Sequence, residues 1–113
     1  MPHTPSASKR LRKAEKRRRQ NRNAAKKIKE QRKEVAKTFA TIATSTTELA
    51  AAKPDTDTTK TKADLDAAKA KIPADVKKTQ EMLDRAATKG YIHPNKAARL
   101  KSRLVKRARA AAK

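Results

Sequence analysis

The chain has 113 residues and a mass of 12.5 kDa, the size of one small domain. Its 32 Lys and Arg outnumber 11 Asp and Glu for a net charge of +21, and 23 of its 40 hydrophobic residues are Ala. Only 17 larger apolar side chains remain, a thin core that a bound polyanion is expected to help order. The absence of Cys excludes disulfides and thiolate metal sites, the single Gly excludes a glycine-rich phosphate loop, and the longest uncharged run, the ten residues Thr38 to Thr47, is too short to span a membrane.

Charge divides the chain into three parts. Residues 1–33 carry 14 basic and 2 acidic residues, residues 34–84 carry 8 and 9, and residues 85–113 carry 10 and none. Two intensely basic ends therefore flank a neutral middle. The basic N-terminus is unlike an organelle transit peptide, since it lacks that segment's Ser content and apolar face.

The first helix is expected over about 6–52. Ser6 or Ser8 can cap it, and Lys53-Pro54-Asp55 stops it. Ile28, Val35, Ile42 and Leu49 recur every seven residues, joined by Ala25 and Phe39 to form an apolar stripe. The Thr cluster at 44–47 is a weak stretch for a helix. Upstream of residue 25 the stripe continues as Asn21, Arg18, Ala14 and Leu11, mostly polar or small. The stretch from Lys9 to Lys27 should therefore project about 27 Å beyond the other helices.

A loop over 54–59 follows, with Asp57 or Thr58 available as the next cap. The second helix, about 58–89, shows Leu65, Ala68, Ile72, Val76, Thr79, Leu83 and Ala86 at steps of three and four. Pro73 lies inside it, and the lost amide donor predicts a kink or a break there. Gly90 reads as the C-cap. The third helix, about 94–112, starts near Pro94 or Asn95 and puts Ala97, Leu100, Leu104 and Ala108 on one side. No window alternates with period two long enough to argue a strand. The expected fold is all-α, an antiparallel three-helix bundle in a single domain, with a long basic N-terminal helix extending beyond it.

Lys16, Arg17, Arg18 and Arg19 are consecutive, so at about 100° per residue they spread positive charge over every side of the helix. Lys9, Arg10, Arg12, Lys13, Arg22, Lys26 and Lys27 complete the cylinder. Such a helix repels itself in water. Charge all around suits burial among several phosphate backbones; the alternative is a solvated arm with no specific partner. Guanidinium groups bind phosphate in bidentate fashion, and Gln20, Asn21, Asn23, Asn95 and Ser102 add neutral donors for phosphate or ribose. The C-terminal basic segment adds Lys96, Arg99, Lys101, Arg103, Lys106 and Arg107. Neither aromatic residue, Phe39 or Tyr91, lies within a basic block. Recognition by backbone shape is thus favoured over base stacking as the main mode. Charge alone does not separate RNA from DNA.

No catalytic machinery is expected. His3 lies in a tail and His93 stands alone next to Pro94, which suits a cap better than a general base. Asp64, Asp66, Asp75, Glu81 and Asp84 read as an exposed face paired to nearby Lys. No cofactor, metal or small-molecule substrate is implied.

The run Ala86-Ala87-Thr88-Lys89-Gly90-Tyr91-Ile92-His93-Pro94-Asn95-Lys96-Ala97-Ala98-Arg99-Leu100-Lys101-Ser102-Arg103-Leu104 closely resembles the C-terminal signature of the bacterial small-subunit ribosomal protein S-twenty family. Ser8-Lys9-Arg10, then Glu15-Lys16-Arg17-Arg18 with Asn21 and Asn23, resemble its opening. The resemblance implies a three-helix structural protein of the small ribosomal subunit, cytoplasmic and monomeric there, that binds small-subunit ribosomal RNA during assembly and can touch neighbouring ribosomal components. It places Lys9, Lys16, Arg17, Arg18, Asn21, Asn95, Lys96, Arg99, Lys101, Ser102 and Arg103 in RNA-facing parts. Two departures stand out: a longer Thr- and Asp-rich middle, and Tyr91 in place of an aliphatic residue. The alternative from another class is a DNA-compacting nucleoid protein, although those are usually Lys-dominated repeats and no repeat is evident here.

Overall fold

Thr4 and Pro5 set the start of the first helix. Pro5 disfavours helical geometry in the residue before it and has no amide hydrogen to leave unbonded in a first turn. Thr4 is accordingly extended (φ −113°, ψ 149°), and its Oγ1 accepts the Ala7 N–H at 3.2 Å. The cap is thus Thr4 rather than Ser6 or Ser8. The computed structural model describes residues 3–52 and 58–113, so the Lys53-Pro54-Asp55 stop and the Asp57 cap lie outside the described residues.

Helix α1 runs Pro5–Ala51. At 1.5 Å per residue its 47 residues span about 70 Å, nearly the 78 Å length of the molecule. The Thr-rich end is helical, and its hydroxyls find partners by bonding backward along the helix. Thr41 Oγ1 donates to the Lys37 carbonyl at 2.9 Å, Thr44 to Thr41 at 2.8 Å, and Thr46 to Ile42 at 2.7 Å.

Helix α2, Thr59–Thr88, passes through Pro73 without a break. Pro73 is exposed, one residue past the buried Ile72. The missing donor therefore falls on the solvent side, while the buried face keeps its contacts. The helix ends in a double hydrogen bond. Gly90 N–H donates to the Ala87 carbonyl at 3.0 Å, and Tyr91 N–H to that of Ala86 at 2.9 Å. This ending requires the left-handed backbone of Gly90, φ 72°.

Helix α3, Pro94–Ala112, is capped by His93, whose Nδ1 accepts the Asn95 N–H at 3.2 Å. The side chain serves the backbone, a use that a lone His beside a proline suggests.

Two apolar clusters fix the topology. Ile28 packs with Leu83, Ala86 and Ala97; Ile42 packs with Ile72 and Ala108. Rising numbers on α1 meet falling numbers on α2 and rising numbers on α3, so the helices run up, down and up. Val35, Leu83 and Thr79 are the largest fully buried side chains. Thr79 is tolerated because its hydroxyl donates to the Asp75 carbonyl at 2.7 Å. The stripe on α1 differs from the sequence pattern at two positions. Ala25 is exposed, and Ala24, one residue earlier, sits against the α2 seam with Met82. Gln31 is buried among the apolar residues.

This is an all-α bundle with a long helix extending past it. The free arm is shorter than the apolar pattern implies. The turn between α2 and α3 reaches back along α1 to Asn21, Gln20 and Arg17. Only Pro5 to Lys16, about 18 Å, then stands clear of the other helices.

Candidate nucleic-acid interface

The helices divide the charge unequally. Within these bounds α1 carries 15 basic and 4 acidic residues, α2 carries 7 and 5, and α3 carries 7 and none. Within α1, Lys9, Arg10, Arg12, Lys13, Lys16, Arg17, Arg18 and Arg19 are all exposed, as are Arg22, Lys26 and Lys27. No other helix covers the arm, so its charge surrounds it on every side.

Where α1 enters the bundle, the distribution becomes one-sided. Lys29, Arg32, Ala36 and Phe39 follow one another at steps of three and four, and the last three line a groove against α3. Arg103 and Arg107 line the opposite wall, beside Leu100 and Leu104. Lys96 and Arg99 continue the Arg103 row toward the start of α3. No acidic residue lines this groove. Three arginines thus border one small cleft with no carboxylate among its lining residues, a positive local field for an anionic backbone.

The remaining candidates are spread differently. Lys101 lies on the flank of α3 that meets α2, where its Nζ contacts Asp84 Oδ1 at 2.6 Å. It ties two helices together. Lys26 has a carboxylate one turn away, at 3.9 Å in Glu30. Ser102 and Lys106 are exposed on the outer side of α3, and Asn95 is exposed in its first turn. Asn21 is half-buried at the α2–α3 turn.

Two cations in these arrangements escape sequence reasoning. Arg32 joins the α3 arginines because Ala36, one turn on, leaves room for α3 to approach. The signal is a row of Arg32, Ala36, Phe39 and Ala43 running beside the heptad stripe. Lys89 faces Arg17 across the α2–α3 turn, and only the fold brings those segments together. Among the described residues no group of three or more His, Asp or Glu could hold a metal ion, and no helix is long and apolar enough to cross a membrane.

A small helical bundle with a cationic arm and an acid-free arginine groove belongs to the class of polyanion-binding proteins. The sequence comparisons make the family particular. The family described as ribosomal protein S20 matches residues 2–109, and the chain belongs to it. It is a family of ribosomal proteins, not of enzymes. The chain is 37% identical to the small ribosomal subunit protein bS20 of Dehalococcoides mccartyi strain 195, over the full length of both. The bS20 of strain BAV1 is 35% identical over the same full lengths. The bS20 of Legionella pneumophila strain Corby is 60% identical over 35 residues, 31% of this chain and 40% of that protein. No solved structure matches the chain.

Proposed function

We propose that this chain is a structural protein of the small ribosomal subunit that binds the subunit's RNA directly and stabilises its fold during assembly. One observation carries the reading: among the described residues no acidic group lies on α3 or lines the α1–α3 groove, and the arm from Pro5 to Lys16 carries five basic residues against the single acid Glu15. The arm places Lys9 to Lys16 among several phosphate backbones at once, where charge on every side is used. Arg32, Arg103 and Arg107, flanked by Lys96 and Arg99, hold one further backbone along the groove. Bidentate guanidinium contacts fix that backbone's position rather than its sequence. The bundle sets the angle between arm and groove, and so the relation between the RNA segments they hold.

Family membership favours RNA over DNA and removes the ground for the nucleoid alternative. The working place is the bacterial cytoplasm, within the small subunit, as a monomer beside other ribosomal components and with no cofactor. Sedimentation of a lysate through a sucrose gradient tests the reading: the protein should travel with small subunits. Travel with the nucleoid, or at the top of the gradient, would contradict it.

A further inference from the structure

The cleft at the junction of arm and bundle holds a different set of groups from the groove. Arg17, Gln20 and Asn21 of α1 face Lys89, Gly90 and Tyr91 of the α2–α3 turn across about 490 Å³. Sites that hold small ligands run from about 300 to 1,000 Å³. Arg17 and Asn21 occupy the positions where the α1 stripe would continue past Ile28 and Ala24, yet here the stripe is polar. Among the described residues, the side chains of Arg17, Gln20, Asn21 and Lys89 make no hydrogen bond or ion pair with the protein. At Gly90 the wall is bare backbone, with open space where a Cβ would stand.

Tyr91 adds what a phosphate site does not need. It is one of two aromatic residues in the chain, and Phe39 belongs to the other end of the bundle. Its ring is half-buried and packed against the Ile28, Leu83, Ala86 and Ala97 cluster, so its position is fixed before any ligand arrives. Gln20 and Asn21 each offer a donor and an acceptor on one amide, the pattern that pairs with a base edge. Unstacked bases in RNA are held by just such a combination of ring and amide.

We infer that this cleft receives one nucleotide turned out of the RNA stack. Its phosphate lies between Arg17 and Lys89, and its base lies against Tyr91 within reach of Gln20 and Asn21. The inference rests on the RNA-binding reading and adds a base-contacting point to an interface otherwise made of phosphate contacts. It also gives Tyr91, the departure from the aliphatic residue of the resembled family, a use.

The test uses the full-length protein and transcribed small-subunit ribosomal RNA. Filter binding over a range of salt is compared for wild type, Tyr91→Phe and Tyr91→Leu, with thermal circular dichroism on each. The Phe variant, which keeps the ring, should bind as wild type. The Leu variant should bind about tenfold more weakly with an unchanged salt slope, because no phosphate contact is lost. Zero-length ultraviolet crosslinking of the wild-type complex, with the adduct located by mass spectrometry, should mark Tyr91 or its neighbours in the turn. Equal binding by the Leu and Phe variants, or a Leu variant with a shallower slope, or crosslinks only elsewhere, would overturn the inference while leaving RNA binding intact. A wild-type protein that shows no preference for this RNA over duplex DNA would instead overturn the reading beneath it.

Discussion

Replacing Arg32, Arg103 and Arg107 together with Gln empties the α1–α3 groove of charge without touching its apolar floor. All three side chains are exposed, and none makes an ion pair among the described residues. The bundle should therefore melt within a few degrees of wild type, since exposed substitutions change stability by about 0.5 kcal/mol or less. RNA binding should respond strongly. Each phosphate neutralised contributes about 0.7 to 0.9 to the log–log slope of affinity against salt. Losing three contacts should make the slope shallower by roughly 2 to 3. A fourfold rise in salt would then weaken the wild type by roughly 20- to 40-fold more than it weakens the variant. Filter binding at four or five salt concentrations reads this directly, with circular dichroism melts as the control. A slope change below about 1 would mean that the groove faces away from the RNA, and the placement argued here would be wrong.

Leu83, 1% exposed and in contact with residues of both other helices, is the natural probe of the core. Leu83→Ala should cost about 3 kcal/mol and lower the melting temperature by roughly 10–15 °C, whereas Leu11→Ala, at 47% exposure on the arm, should leave it unchanged; equal effects would deny that the bundle is the stable unit. Gly90→Ala meets no steric obstacle but forces Ala into the left-handed region, so a loss of about 1–2 kcal/mol in thermal denaturation is expected, and a neutral result would argue against the double-bonded helix ending. In the free protein at low salt, amides of residues 6–16 should exchange faster than those of α1 inside the bundle, and RNA should slow them; equal protection in the free state would remove the link between arm order and RNA.

Much of this architecture is legible in the sequence, because the bundle follows local rules. Ile28, Val35 and Ile42 repeat at the heptad spacing and are buried, and Gly90 and Pro94 mark the turn they should mark. What escapes depends on partners in space. Ala24 rather than Ala25 meets α2 because the helix drifts against a strict seven-residue repeat, and Gln31 is buried although polar, since it falls between Ile28 and Val35 on the buried side of α1. Pro73 leaves α2 unbroken because it lies on the exposed face, a fact that the register of packing decides. The arm's basic residues are visible as a run, but the groove is not. Arg32 lies 71 positions from Arg103, and only the return of α3 along α1 sets them side by side. The start of α1 is a different case. Thr4-Pro5 is a readable cap signal, and the nearer Ser6 and Ser8 obscure it.

The central claim is that RNA covers the arm and the α1–α3 side and leaves α2 facing away. Lysine acetylation of the free and RNA-bound protein, quantified residue by residue by mass spectrometry, tests it most directly. RNA should protect Lys9, Lys13, Lys16, Lys29, Lys96 and Lys106, while Lys71, Lys77 and Lys78 on the exposed surface of α2 stay as reactive as in the free protein. Protection of the α2 lysines equal to that of the arm, or free reactivity at Lys29 and Lys96, would contradict the account.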